Sequence, residues 1–164
     1  MPDQPIIKNN EIVKDNWVVV AKDMNSIPAG ENLILPLALW LQEYNALDDR
    51  KDIGVWFDSE DLPTQEHSQA LNKLPLIAIH FPVFTDGRGF SIARLLRERF
   101  NYQGELRAIG NVLCDQLCFM KRCGFNSFVL AEKRDLTVAL ASLNDFTEYY
   151  QTSVDQPQPL FRRS

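Results

Sequence analysis

The sequence lacks any long hydrophobic run, since no apolar stretch approaches the roughly 20 residues that a helix needs to cross a bilayer. Its first residues, Met1-Pro2-Asp3-Gln4, form neither the basic segment nor the apolar segment of a secretory signal. These two absences predict a cytoplasmic protein that does not bind a membrane.

Cysteine is scarce, and Cys114, Cys118 and Cys123 all fall within ten residues. An odd number of clustered cysteines does not form a disulfide framework. The spacing lacks a fourth ligand and matches no common iron–sulfur pattern, so we expect no metal site. Small buried side chains are the favoured interpretation. Cys123 ends a predicted helix, a position that disfavours a reactive thiolate.

Basic residues are fewer than acidic residues, which gives the chain a net charge of −5 and a pI near 5.0. Such an acidic chain is a poor candidate for nucleic-acid binding. Residues 1–85 carry 6 Lys or Arg against 13 Asp or Glu, whereas residues 86–134 carry 9 against 5. This basic stretch suits a small oxyanion or an acidic partner. The alternative is that its arginines form the solvated outer faces of two helices.

The length of 164 residues and the apolar content of 45% are those of an ordinary globular domain. A chain of this size buries enough surface to fold without a metal or a disulfide. We expect one domain over residues 1–164. It would consist of a β-hairpin region over 1–22, βα units over 33–151 and an extended tail over 152–164. Asn9-Asn10 is the predicted hairpin turn.

Short apolar runs alternate with helical patterns through the rest of the chain. The predicted strands cover 33–35, 53–57, 76–81, 106–109 and 127–130. One helix is predicted to begin at Pro36, and the others are predicted over 63–72, 90–100, 112–122 and 135–151. About five βα units predict an α/β fold with a mainly parallel sheet, which is either an open doubly wound sheet or an incomplete barrel. Ligands bind beyond the C-terminal ends of such strands, which here are the loops 58–61, 82–91, 110–112 and 131–135.

The loop after the third of these strands has the composition of an anion-binding turn. Its candidate residues for a small oxyanion are Asp86, Gly87, Arg88, Gly89, Ser91 and Arg94. The glycines let the backbone approach a ligand, Ser91 suits a helix N-cap, and arginines beside a helix N-terminus attract an anion. The alternative is that Asp86 neutralises Arg88 while Arg94 points to solvent. The loop lacks the Lys-Ser/Thr pair of a P-loop and the third glycine of a dinucleotide site.

Secondary candidates follow the next predicted strand: Asn111, Asp115, Gln116, Arg122 and Cys123. Asn111 can cap the following helix, and Asp115 would complement its dipole in the first turn. This structural interpretation is favoured over catalysis.

The histidines give little signal, because His80 is interpreted as a hydrogen-bonded core residue of an apolar strand and His67 as part of a polar helix.

Residues 81–130 carry a longer pattern, whose clearest part is Phe-Pro-x-Phe-x-Asp-Gly-Arg-Gly-Phe-Ser from Phe81 to Ser91. The pattern continues in three short segments, Gly104-Glu105-Leu106-Arg107-Ala108, Asp115-Gln116-Leu117 and Arg122-Cys123-Gly124-Phe125, with weaker matches at Pro36, Trp40 and Leu160-Phe161-Arg162-Arg163. This pattern resembles a bacterial family of small uncharacterised proteins that are described as oxidoreductases involved in sulfite reduction.

The resemblance implies a role in sulfite reduction during sulfate assimilation, through association with other proteins of that pathway. Two functions stay open. One is an oxidoreductase or redox-associated subunit, whose partner would be sulfite reductase or an electron carrier. The other is a non-catalytic accessory protein that binds this machinery or a small anion. The cofactor is unknown, because no flavin or nicotinamide motif is recognisable in the sequence.

Overall fold

The computed structural model describes residues 4–47, 49–82, 87–131 and 136–143. Its strands are β1 (Gln4–Lys8), β2 (Glu11–Asp15), β3 (Val18–Val19), β4 (Leu33–Pro36), β5 (Ile53–Phe57), β6 (Leu76–Phe81), β7 (Glu105–Gly110) and β8 (Ser127–Phe128). Its helices are α1 (Leu37–Leu47), α2 (Ser68–Asn72), α3 (Arg88–Arg94), α4 (Leu117–Cys123) and α5 (Leu136–Leu143), with 3-10 turns at Gln65–His67 and Cys114–Gln116 and a π-helical turn at Leu95–Arg99. Within these ranges no helix is both long and apolar enough to span a bilayer.

The eight strands form one sheet in the order β2-β1-β8-β7-β6-β5-β4-β3. Strands β3 to β8 pair in parallel and in chain order, whereas β1 pairs antiparallel with both β2 and β8. Right-handed connections between sequential neighbours place the helices on one face of the sheet. The sheet therefore curls into a half-barrel. This confirms the α/β prediction and selects the incomplete barrel over the open doubly wound sheet.

The outer face of the sheet, which the helices cover, is apolar. Alternate residues of β5 and β6 face outward, namely Ile53, Val55, Phe57, Ile77, Ile79 and Phe81. They pack in one cluster with the buried sides of the helices, for example Trp40 of α1 and Met120 of α4. Burial of this apolar surface is the main favourable contribution to folding.

The N-terminal region agrees with the prediction at the hairpin and differs after it. Asn9 and Asn10 have φ of +51° and +63°, as a type I′ hairpin turn requires. Strand β2 extends through Lys14 and Asp15. The chain then crosses the inner face of the half-barrel, where Trp17 packs against an apolar cluster. The next strand, β3, consequently pairs with β4 at the opposite edge of the sheet.

Arg107 lies on the inner face, and it is only 2% exposed. Its Nη1 donates to Asp15 Oδ1 at 2.8 Å, and its Nη2 donates to Glu105 Oε1 at 2.8 Å. Lys8 adds a second cation, 3.2 Å from Glu105 Oε2. Burial opposes ionisation of Glu105, but Arg107, Ser127 and Lys8 together outweigh burial and lower the pKa of that carboxyl. Arg107 therefore belongs to a buried ion network of β7 and not to a solvated surface.

Several element boundaries differ from the sequence prediction. Pro36 ends β4 instead of starting α1, and β8 has two residues instead of four. The helix predicted from Pro63 begins only at Gln65. The last predicted helix is described over Leu136–Leu143. The remainder of that predicted helix, beyond Leu143, and the predicted tail over 152–164 lie outside the described residues.

Candidate functional site

Two polar side chains meet where β5 and β6 end. Phe57 of β5 pairs with Ile79 of β6, so the next residues, Asp58 and His80, lie beside each other on the inner side. His80 Nδ1 is 3.3 Å from Asp58 Oδ1. This pair occupies the C-terminal edge of the parallel strands, where α/β proteins bind their ligands.

Asp58 is held as a carboxylate by several donors. Lys22 Nζ donates to Oδ2 at 2.9 Å, and the Ser59 N–H donates to Oδ1 at 2.9 Å. Partial burial alone would raise the pKa of Asp58, but the hydrogen bonds from Lys22, Ser59 and His80 outweigh burial and lower it. The hydrogen bond between Lys22 and Asp58 raises the pKa of Lys22. Both groups are therefore ionised at neutral pH.

His80 is not the core residue that its apolar strand predicts. Its side chain is 34% exposed, and its ring lies edge-on to Trp56 with centroids 5.7 Å apart. A Cβ on Gly110 would be 3.0 Å from His80 Nε2 and 2.7 Å from Cδ2, and Gly110 has φ of +89°, so glycine is required there. With Nδ1 directed at Asp58, the imidazole can exchange a proton or hydrogen-bond a ligand through Nε2.

The predicted anion-binding loop is only partly described, since Asp86 lies outside the described residues. Helix α3 begins at Arg88, with Gly87 in the N-cap position and no side-chain cap. The N-cap prediction for Ser91 is therefore wrong. Ser91 lies inside α3 because the helix begins three residues earlier, where Phe90 N–H donates to Gly87 O at 3.2 Å.

The structure does not bring Arg94 to the start of α3. Arg94 ends the helix, about 9 Å along its axis from Arg88. Its Nη2 contacts Glu98 Oε1 at 3.0 Å. Gly89 serves packing, because a Cβ there would come within 2.5 Å of the Phe81 ring. Of the predicted set, Gly87 and Arg88 are exposed at the C-terminal edge.

Among the secondary candidates, Asn111 and Asp115 lie towards this same edge. The Asn111 N–H donates to Phe81 O at 2.7 Å, just past the end of β7. The capping prediction for Asn111 is wrong, because the next helical turn begins at Cys114 with Leu113 in the N-cap position. Asp115 is exposed in the first turn of that 3-10 segment, as predicted.

Helix α4 separates the remaining candidates. Gln116 precedes α4 and is half-buried, whereas Arg122 and Cys123 lie at its far end. Because α4 returns the chain from the end of β7 to the start of β8, these two residues lie at the N-terminal edge, away from His80. Cys123 is buried, as predicted, and Gly124 ends the helix with φ of +116°.

The half-barrel with an Asp–His pair at the C-terminal edge of its parallel strands defines an α/β protein with a solvent-accessible candidate site. Residues 54–161, more than half of the chain, match a family described as "Bacterial protein of unknown function (DUF934)". The chain belongs to this family. No curated protein matches the chain, and no solved structure matches it.

Proposed function

We propose that the protein acts in sulfite reduction, as an oxidoreductase or redox-associated subunit that binds a small oxyanion at the C-terminal edge of the half-barrel. The pathway rests on the resemblance carried by residues 81–130. The location rests on the hydrogen-bonded pair of Asp58 and His80, which is the observation that carries the proposal.

The chemistry of this edge suits a sulfite-type anion. Asp58 orients the imidazole, so that Nε2–H of a protonated His80 can donate to an oxyanion oxygen and transfer its proton there. Arg88, exposed at the start of α3, supplies a second cation at the helix that follows β6. Lys22 already contacts Asp58 and offsets its negative charge. Of the residues predicted to bind an anion in this loop, the proposed site therefore includes Gly87 and Arg88.

A second candidate function, the accessory protein, is favoured by an exposed aromatic side chain. Phe119 of α4 is 52% exposed and lies edge-on to Phe90 of α3, with ring centroids 4.8 Å apart. Phe90 in turn packs on Phe81. Exposed aromatic residues are enriched in protein interfaces. In this alternative, Phe119 docks the chain onto sulfite reductase.

Calorimetric titration with sulfite tests the site. We expect His80→Gln to weaken binding about 10-fold or more, because the hydrogen bond to the charged ligand is lost. His67→Gln is the matched control, since His67 is the other histidine of the chain and its ring contacts Thr64 and Tyr44. Arg88→Ala should also weaken binding, whereas Arg99→Ala, at another exposed arginine, should not. Equal affinities in all four variants would contradict the proposed site.

Growth of a deletion strain tests the pathway. Loss of the protein should impair growth on sulfate or sulfite but not on cysteine. Complementation then separates the two functions: failure of His80→Gln alone supports the edge site, and failure of Phe119→Ser alone supports docking. Normal growth on sulfate as the sole sulfur source, in a strain without a paralogue, would rule out a role in sulfite reduction.

A further inference from the structure

A cavity lies at the opposite, N-terminal edge of the sheet, where β7 and β8 begin. Its volume is about 540 Å³, within the range of small-molecule sites. Its walls include Asn10 from the hairpin turn, Arg97 from the π-helical turn, Gln103 before β7, and Lys121 and Asn126 around the end of α4. Four separate segments of the chain therefore converge on one space.

The charge of this cavity is opposite to that of the chain. The lining residues include Arg97 and Lys121 but no carboxylate, although the net charge of the protein is −5. Among the residues that the structure describes, neither cation forms an ion pair. The hollow on the inner face contrasts with it, because Glu11 and Asp15 line that hollow together with its cations.

Arg97 is fixed in place before any ligand binds. Its Nη1 donates to the carbonyls of Tyr102 at 2.7 Å and Gly104 at 2.9 Å, and its Nε donates to Gly124 O at 2.9 Å. Within the described part of the chain, Nη2 has no acceptor. Three neutral carbonyls hold the guanidinium without neutralising it, so an anion gains a charged donor that loses little rotamer freedom on binding.

Two amides add neutral hydrogen-bonding groups. Asn126 Oδ1 accepts the Leu106 N–H at 2.8 Å, which leaves its Nδ2 as a donor. Gln103 Nε2 donates to Asn101 Oδ1 at 2.8 Å, which leaves its Oε1 as an acceptor. The cavity thus offers cations, a neutral donor and a neutral acceptor. This combination matches a ligand that carries both an anionic group and polar groups, rather than a bare inorganic ion.

We propose that this cavity binds a small organic oxyanion, a metabolite whose phosphate, sulfate or carboxylate group contacts Arg97 and Lys121 while its polar groups contact Gln103 and Asn126. The cavity is large enough for a sugar phosphate. It lies at the opposite end of the strands from His80, so it is independent of the proposed sulfite site.

Titration calorimetry of the full chain with ribose 5-phosphate, adenosine 5′-monophosphate and inorganic phosphate tests this site. The sharpest variant is Asn126→Asp, because a carboxylate keeps the acceptor for Leu106 N–H while it places a negative charge in the cavity. We expect Asn126→Asp and Lys121→Gln to weaken binding of an organic phosphate about 10-fold or more. Lys51→Gln, at an exposed lysine of a different hollow, and His80→Gln should leave it unchanged.

The outcomes separate clearly. Binding of either organic phosphate, weakened selectively by the two cavity variants, supports the proposal. Absence of binding of all three probes at millimolar concentration overturns it, as does equal affinity in all variants. Inorganic phosphate bound as tightly as the organic phosphates overturns the assignment of an organic ligand. Loss of binding in His80→Gln alone would place the anion at the C-terminal edge instead. Thermal melts confirm that each variant is folded.

Discussion

The two faces of the sheet are joined to their neighbours by different interactions. The outer face meets the helices through apolar side chains such as Val55 and Ile79. The inner face meets the N-terminal segment through buried ions as well as through Trp17, and the Arg107–Asp15 contact joins residues 92 positions apart. Apolar contacts stabilise without dictating one arrangement, whereas a buried charge is costly unless its partners are present. We infer that the inner network specifies where the N-terminal hairpin docks.

The largest expected effect comes from breaking the inner network. Arg107→Ala leaves Asp15 and Glu105 without their buried cation, and we expect a loss of about 3–5 kcal/mol in the free energy of unfolding. Urea denaturation measures it. Arg99→Ala, at an exposed arginine, should change stability by less than about 0.5 kcal/mol. Similar small losses in both variants would show that the inner ions contribute little.

The outer face is best probed by overpacking. Gly89→Ala places a Cβ within 2.5 Å of the buried Phe81 ring, so α3 must shift away from β6. We expect a loss of about 1–3 kcal/mol. Gly87→Ala is the control, because no heavy atom lies within 4 Å of its added Cβ. If both substitutions leave the thermal midpoint unchanged, the close approach of α3 is not needed.

Substituting one tryptophan on each face of the sheet compares the two faces directly. Trp56 Nε1 on the inner face donates to Val20 O at 2.9 Å, and this buried bond ties the crossing segment to the sheet. We expect Trp56→Phe to destabilise the protein by about 1–3 kcal/mol, because Val20 O loses its donor. Trp40→Phe on the outer face removes a similar volume from a side chain that is also buried. If urea denaturation shows a larger loss of stability for Trp40→Phe than for Trp56→Phe, the hydrogen bond on the inner face is not the stronger constraint.

The smallest expected effect concerns the loss of stability at acidic pH. The pKa of Glu105 is lower in the folded protein than its ordinary value of 4.5. Its carboxylate therefore stabilises the fold above that pH, and this contribution is lost as the pH falls through the lowered value. We expect Glu105→Gln to flatten the decline of stability below about pH 4.5. Glu98→Gln, at an exposed glutamate, should retain the wild-type slope in urea denaturation measured across this pH range.

Local sequence patterns were sufficient for strands β4 to β7, to within one residue at each end. The apolar runs of β5 and β6 end where the strands end, because a strand covered on both faces requires apolar residues throughout. The edge that carries the candidate site follows from these strand ends. The doubly wound alternative could not be excluded, because strand order depends on pairing between distant segments.

The Asp58–His80 pair was missed although a signal existed. His80 occupies an inner-facing position at the end of its strand, and Asp58 follows the end of the neighbouring strand. Aligning the two strand ends would have placed them together. The continuous apolar run of β6 suggested a core position instead, which holds for Ala78 but not for the partly exposed His80.

Helix starts and buried charges required tertiary information. Ser91 and Asn111 have suitable side chains for capping, but α3 starts earlier because Gly89 allows it to pack against Phe81. Arg107 resembles a surface cation in the sequence. Its partner Asp15 lies so far along the chain that no local pattern connects them.

The pairing of β1 with β8 has a consequence for the order of folding. Ile7 is synthesised long before its pairing partner Phe128. The hairpin therefore has no sheet to join until the βα units have formed, and it completes the sheet instead of nucleating it. Closing so long a loop slows folding. Until the hairpin docks, β8 is an unpaired sheet edge on which another nascent chain can assemble.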